Sequence, residues 1–172
     1  DLVAYWNLDE ESGVRFDSVG SNHLADNNTV TSSAGIHNNA AQFTKANSEY
    51  LSITDTPALS TGDIDFSLSA WVYMDSKPAD DIDILGKGDG GVSFGEEYVL
   101  QWRQSLDRLR FAVSNGATQG SVAAHNLGSP STATWYFTAA WHDSTADTLN
   151  IQVNNGPVDS VSYTGGGQDT AQ

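Results

Sequence analysis

Residues 15–28, RFDSVGSNHLADNN, gather Asp17, Asn22, Asp26, Asn27 and Asn28 into one short, glycine-broken segment. Carboxylate and amide oxygens held this closely either ligate a hard cation such as Ca2+ or satisfy the backbone of a solvated turn. The residue types leave both readings open, and no EF-hand spacing occurs anywhere in the chain. A second acidic stretch, DDIDIL (80–85), sets Asp81 and Asp83 two positions apart. On a strand they would project to one face. Retaining glycoside hydrolysis needs two carboxyl groups about 5–5.5 Å apart, but Pro78 and Gly86 mark this stretch as loop and turn. Gly91-Val92-Ser93-Phe94-Gly95 spells G-x-S-x-G. That motif acts only at a strand-to-helix elbow, and no helical period follows it. His23, His37, His125 and His142 lack zinc-ligand spacing, and there is no cysteine. Thiolate metal sites, cysteine nucleophiles and disulfides are therefore excluded. No catalytic residue is expected, and the chain is not read as an enzyme.

The aromatic residues offer different chemistry. Sugar rings stack their apolar faces on exposed aromatic side chains, and neighbouring polar groups satisfy the hydroxyls. Trp102 adjoins Arg103 and lies two residues from Gln104, which would give it a polar frame. In WYFTAAWH the alternation groups Trp135, Phe137, Ala139 and Trp141 on one face, with Ala139 leaving room beside the Trp141 ring. Trp102, Arg103 and Trp141 are accordingly the candidate ligand-binding residues, with the loops at 86–96 and 115–120 as a possible rim.

These residues must be positioned by strands. FSLSAWVY (66–73) puts Phe66, Leu68, Ala70 and Val72 on one face and Ser67, Ser69, Trp71 and Tyr73 on the other. YVLQW (98–102), LRFAV (109–113), WYFTAAW (135–141) and LNIQV (149–153) are similarly short and rich in β-formers. Gly62-Asp63, Gly88-Asp89-Gly90-Gly91, Asn115-Gly116 and Asn154-Asn155-Gly156 punctuate them as turns. No window keeps a helical period. The pattern predicts an all-β fold, a jelly-roll sandwich of two antiparallel sheets. No internal repeat or domain boundary is visible. TGGGQDTAQ (164–172) reads as a flexible end.

A chain of 172 residues fits one domain. With 22 acidic residues against 7 basic, its formal charge is −15. That field repels phosphate backbones, so nucleic acid is not an expected partner; anionic membranes and acidic polysaccharides are disfavoured unless a divalent cation bridges them. No apolar run is long enough to span a bilayer, so membrane insertion is not expected.

Read in order, several segments resemble the laminin-G-like jelly-roll domains of the concanavalin A-like lectin/glucanase superfamily. LVAYWNLDEESG (2–13) is similar to that family's opening strand, and FDSVGSNHL (16–24) to the loop that follows. AAQFTKANSEYLSI (40–53) looks like its hairpin, and DIDFSLSAWVYMD (63–75) like its strand built around serine-alanine-tryptophan. ILGKGD, YVLQW, LRFAV, TWYFTAAWHD and LNIQVNNGP continue the series, so the resemblance covers about residues 2–160.

The resemblance implies a structural Ca2+ in the first loop, with Asp17 as carboxylate ligand and Asn22 and His23 following through side-chain or main-chain oxygen. It also implies that Trp6, Trp71 and Trp135 pack in or at the core, and that His142 packs at a strand end. The family usually closes with two more strands that pair with the opening one, and this sequence shows only the glycine-rich tail after Tyr163. The expected organisation is one domain over 1–163, lacking its closing strands, and a flexible tail over 164–172. The expected function is non-catalytic recognition of a glycan or glycosylated surface by one module of a larger extracellular, cell-surface or virion-surface assembly. The alternative is a structural decoration or adhesion domain that contacts other domains or chains.

Overall fold

The computed structural model describes residues 1–88 and 95–169. The G-x-S-x-G match, most of the glycine-rich turn at 88–91, and the centre of the 86–96 loop lie outside the described residues, as do the last three residues of the tail. Where the sequence suggested no boundary, the chain separates into two compact units, Asp1–Leu59 and Ser60–Gln172.

The first unit contains β1 (Ala25–Asn27), β2 (Thr31–Ala34), β3 (Asn39–Gln42) and β4 (Tyr50–Ser52). β1 pairs with β4 and β2 with β3, both antiparallel. LVAYW, expected as the opening strand, makes only the isolated bridge Trp6–Asp17. A strand needs a neighbour's ladder, and here one side-chain and one backbone contact stand in its place. Tyr5 N donates to the Asp17 carboxylate at 3.0 Å, while Tyr5 O accepts from Ser18 N at 2.8 Å. Arg15 is fully buried. Its guanidinium donates to the carbonyl oxygens of Gly13 and Val30, which keeps the buried charge hydrogen-bonded.

The second unit holds β5 (Phe66–Tyr73), β6 (Ile82–Gly88), β7 (Glu96–Arg103), β8 (Arg108–Ser114), β9 (Gln119–Ala123), β10 (Trp135–Asp143), β11 (Thr148–Val153) and β12 (Asp159–Ser162). They form two four-stranded antiparallel sheets, ordered β12-β11-β10-β5 and β6-β7-β8-β9. This is the expected jelly-roll sandwich. DIDIL, read from the sequence as loop and turn, is part of β6. Its ladder to β7 is irregular between Asp83 and Leu85 and between Lys87 and Gly88, which is how a strand accommodates Gly86 and Gly88.

Alternation sets the core. Leu100 and Phe111 from one sheet meet Ala140, Leu149 and Ile151 from the other, all fully buried. The Phe66 ring packs 5.4 Å from that of Tyr98 and 6.0 Å from that of Phe111. Burying such side chains stabilises the unit by roughly 1.5–3 kcal/mol each.

The glycine-rich segment is not a free end over 164–169. Gly167 N donates to Gly62 O and Gln168 N to Ser114 O, both at 2.7 Å. Asp169 accepts from Ser60 Oγ at 2.9 Å and pairs with Lys87 at 3.2 Å. Composition suggested flexibility, but missing side chains here permit close backbone approach.

Candidate functional site

The outer face of the β12-β11-β10-β5 sheet carries the most chemistry. Trp135 lies opposite Tyr73 and Phe137 opposite Trp71 across the β10–β5 ladder. Each pair is in ring contact: Tyr73–Trp135 at 5.2 Å with 47° between planes, Trp71–Phe137 at 5.3 Å with 53°. Further along, Ala139 faces Ser69 and Trp141 faces Ser67. Trp71 keeps 51% of its surface exposed, Tyr73 40% and Phe137 37%. Trp135 and Trp141 are half-buried.

The expectation that Trp71 packs in the core is therefore corrected. Phe66, Leu68, Ala70 and Val72 are the partly buried positions of β5, and the alternate residues Ser67, Ser69, Trp71 and Tyr73 are exposed. The signal was already in FSLSAWVY, where two serines share the tryptophan's face. Trp71, Tyr73 and Phe137 are the surface aromatics that sequence reasoning missed.

The candidates Trp102, Arg103 and Trp141 are not brought together. Trp102 and Arg103 belong to β7 and Trp141 to β10, in different sheets. Trp102 is only 3% exposed, because it shares its alternation with Tyr98 and Leu100 on the inward side of β7. Its indole N–H points to Pro78 O at 3.4 Å, and Lys77 Nζ sits 5.5 Å from the ring centre. It is a packed residue, not a platform. The Arg103 guanidinium is bound to Asp81 at 2.6 Å. Trp141 alone of the three lies on the aromatic face.

Asp81 and Asp83, the nearest approach to a catalytic pair, are both engaged. Asp81 also accepts from Gln104 N at 2.8 Å, and Asp83 accepts from Gln101 Nε2 at 2.9 Å. Arg110 continues this polar row by donating to Gln101 and Gln119, both at 2.8 Å. Burial pushes the Arg110 pKa down, helped by the neighbouring Arg103 charge. His142 is buried with Nδ1 3.0 Å from Ile64 O and its ring against Phe66 and Tyr163, the packing role expected of it.

The loop at Asp17 does assemble, but around amides. Asp17 Oδ1 accepts from Tyr5 N and Val19 N, each at 3.0 Å; Oδ2 accepts from Asn22 N and Asn22 Nδ2, each at 3.1 Å. His23 Nδ1 accepts from Asp17 N at 3.0 Å. Both carboxylate oxygens are thus occupied by N–H donors, and Asn22 presents its NH2 rather than its oxygen. Among the described residues no group of three acidic, histidine or cysteine side chains converges on a metal position. The side chains of these three residues are arranged as hydrogen-bond partners within the turn rather than as the oxygen cage Ca2+ requires. The geometry is that of the turn reading.

Burial raises the Asp17 pKa, but backbone N–H groups of Tyr5, Val19, Asn22 and Gly20 outweigh it and hold the carboxyl well below the usual range. The depressed folded pKa means that the contribution is present above the unfolded value of about 3.9 and is lost as pH falls below it. Asp17→Asn is expected to cost about 2 kcal/mol at neutral pH and to flatten the stability loss below about pH 4. Urea melts across pH check this, and parallel acid limbs in both proteins would refute it. In the same melts, EDTA should leave the midpoint unchanged, whereas a rise with added calcium would restore the cation reading.

The fold defines an all-β sandwich module of the lectin-like or adhesion class. A family model described as the concanavalin A-like lectin/glucanases superfamily, of laminin-G-like type, matches residues 45–172, and the chain belongs to that superfamily. The matched span includes both sheets and the glycine-rich strap but not the Asp17 loop. No curated protein and no solved structure matches the chain.

Proposed function

We propose that this chain is a non-catalytic recognition module that binds carbohydrate through the aromatic outer face of the β12-β11-β10-β5 sheet. The supporting observation is the pair of cross-strand aromatic contacts, Trp71–Phe137 and Tyr73–Trp135, which remain open to solvent. Exposed large rings grouped on one sheet face are unusual on a soluble surface without a binding role. Pyranose C–H faces stack on such rings, and the engagement of Asp81 and Asp83 in structural contacts favours binding over hydrolysis.

Each site would be shallow and weak, and several copies on one assembly would make it effective by raising local concentration. Glycans displayed this way are met outside cells, which favours reading the module as part of an extracellular, cell-surface or virion-surface protein.

A glycan array probed with the native chain and with Trp71→Ala tests the proposal. Removing one stacked ring should lower retention about tenfold. A blank array with an intact fold would instead assign the face to a protein partner, as in a decoration or adhesion domain.

A further inference from the structure

Resting on the carbohydrate reading above, we infer that the aromatic face takes a single neutral, extended polysaccharide chain lying along β10. A terminal sugar or a crystalline polysaccharide surface would fit it less well. The register supplies the length. Trp135, Phe137, Ala139 and Trp141 occupy successive outward positions of β10. At about 3.4 Å per residue, the distance from the first ring to the last is roughly 20 Å. One sugar covers a single row of that ladder; a chain of several units covers all of it. The Ser69–Ala139 row has no ring, so a passing sugar meets small side chains there before the next ring at Trp141.

The tilts argue against a crystal surface. A flat polysaccharide face needs coplanar rings, and the two pairs are inclined by 47° and 53°. Rings set at such angles meet the faces of one chain, whose successive units can rotate about their linkages.

Charge selects the chemical class. The chain carries −15 overall, yet the outward positions from Ser67 to Tyr73 and from Trp135 to Trp141 include no lysine, arginine, aspartate or glutamate. The polar groups flanking the rings are the exposed hydroxyls Ser67 and Ser69 and the half-buried amide of Gln152 opposite Ala139, while Asn150 opposite Trp141 is buried and donates to Thr148 Oγ1. Hydroxyls and amides complement sugar hydroxyls. With no cation on the face, carboxylated and sulfated polymers are repelled by the surrounding field. A neutral polymer of pyranoses with equatorial hydroxyls, such as a β-1,4-linked glucan or xylan, meets these conditions.

Calorimetry with β-1,4-linked glucose and xylose oligosaccharides, from disaccharide to hexasaccharide, tests the inference. Affinity should rise about tenfold over the series, the worth of an additional stacked ring. Trp141→Ala should weaken the hexasaccharide more than the disaccharide, and Trp141→Tyr, which keeps a ring, should retain most of the gain. Carboxymethylated cellulose should bind more weakly than its neutral counterpart, and microcrystalline cellulose should retain little protein. Equal affinity at all lengths, a preference for the charged polymer, or strong retention on crystals would overturn the inference. If Trp71→Ala still lowered binding about tenfold in any of these cases, the carbohydrate reading would survive. Absence of binding to every glycan would end both.

Discussion

Replacing Lys87 with methionine is expected to lower the melting temperature by about 10 °C. Glu97 is fully buried, and its Oε2 lies 2.6 Å from Lys87 Nζ, whose side chain is only 10% exposed. Glu97 Oε1 accepts from Thr61 N and Thr61 Oγ1. Removing the ammonium leaves a carboxylate in the interior with those two donors and no counter-charge. Breaking a buried pair from one side costs about 3–5 kcal/mol, and each kcal/mol moves the midpoint by about 2–4 °C in a chain of this size. The Thr61 donors place the expected loss at the lower end, about 3 kcal/mol. The double variant Lys87→Met with Glu97→Gln should recover most of it, since the uncompensated charge is gone. A midpoint within about 1 °C of the native chain for Lys87→Met alone would show that the pair carries no stability.

The second large effect is expected at Gly166. A Cβ built there would lie 2.3 Å from Asp63 Cα and 2.4 Å from both Asp63 N and Gly62 O. These neighbours are backbone atoms, so no side chain can swing aside. Gly166→Ala gains about 0.4–1 kcal/mol by restricting the unfolded chain. The clash opposes this with about 1–3 kcal/mol, so destabilisation wins. The midpoint should fall by about 5 °C, and the amides of Gly167 and Gln168 should exchange faster as the strap lifts from Gly62 and Ser114. Native-like melting and unchanged protection of those amides would sink the idea.

Both perturbations act on residues 61–63, immediately ahead of β5. That strand carries Trp71 and Tyr73, so the strap and the Lys87–Glu97 pair hold the entry to one side of the aromatic face. Binding measurements on these variants should therefore be made well below their melting points.

Several features were open to reading in the sequence because they depend only on local periodicity. A strand's side chains alternate whatever surrounds it. FSLSAWVY thus separated the Phe66 face from the Trp71 face before any packing was known, and WYFTAAWH grouped Trp135, Phe137, Ala139 and Trp141. The sandwich of two antiparallel sheets followed from strand spacing and turn residues. The resemblance to the concanavalin A-like superfamily, argued from the motif series, agrees with the family match.

Alternation does not say which face is covered. Trp71 was placed in the core by family position, yet its face is open; Trp102 was offered as a platform, yet it faces inward beside Tyr98 and Leu100. Burial is set by what the second sheet lays across a strand, a contact between residues far apart in the chain. The Asp17 loop shows a similar limit. Its composition suits a cation or a turn equally, and only the direction of the N–H groups from Tyr5, Val19 and Asn22 separates them. The sequence by itself determined β5, β7, β8, β10 and β11, their faces and the absence of cysteine chemistry, because these are local or compositional. Tertiary structure alone decided which aromatic face meets solvent, how Asp17 is satisfied and that three glycines form a strap. Each of those depends on backbone or side-chain neighbours brought together only by folding.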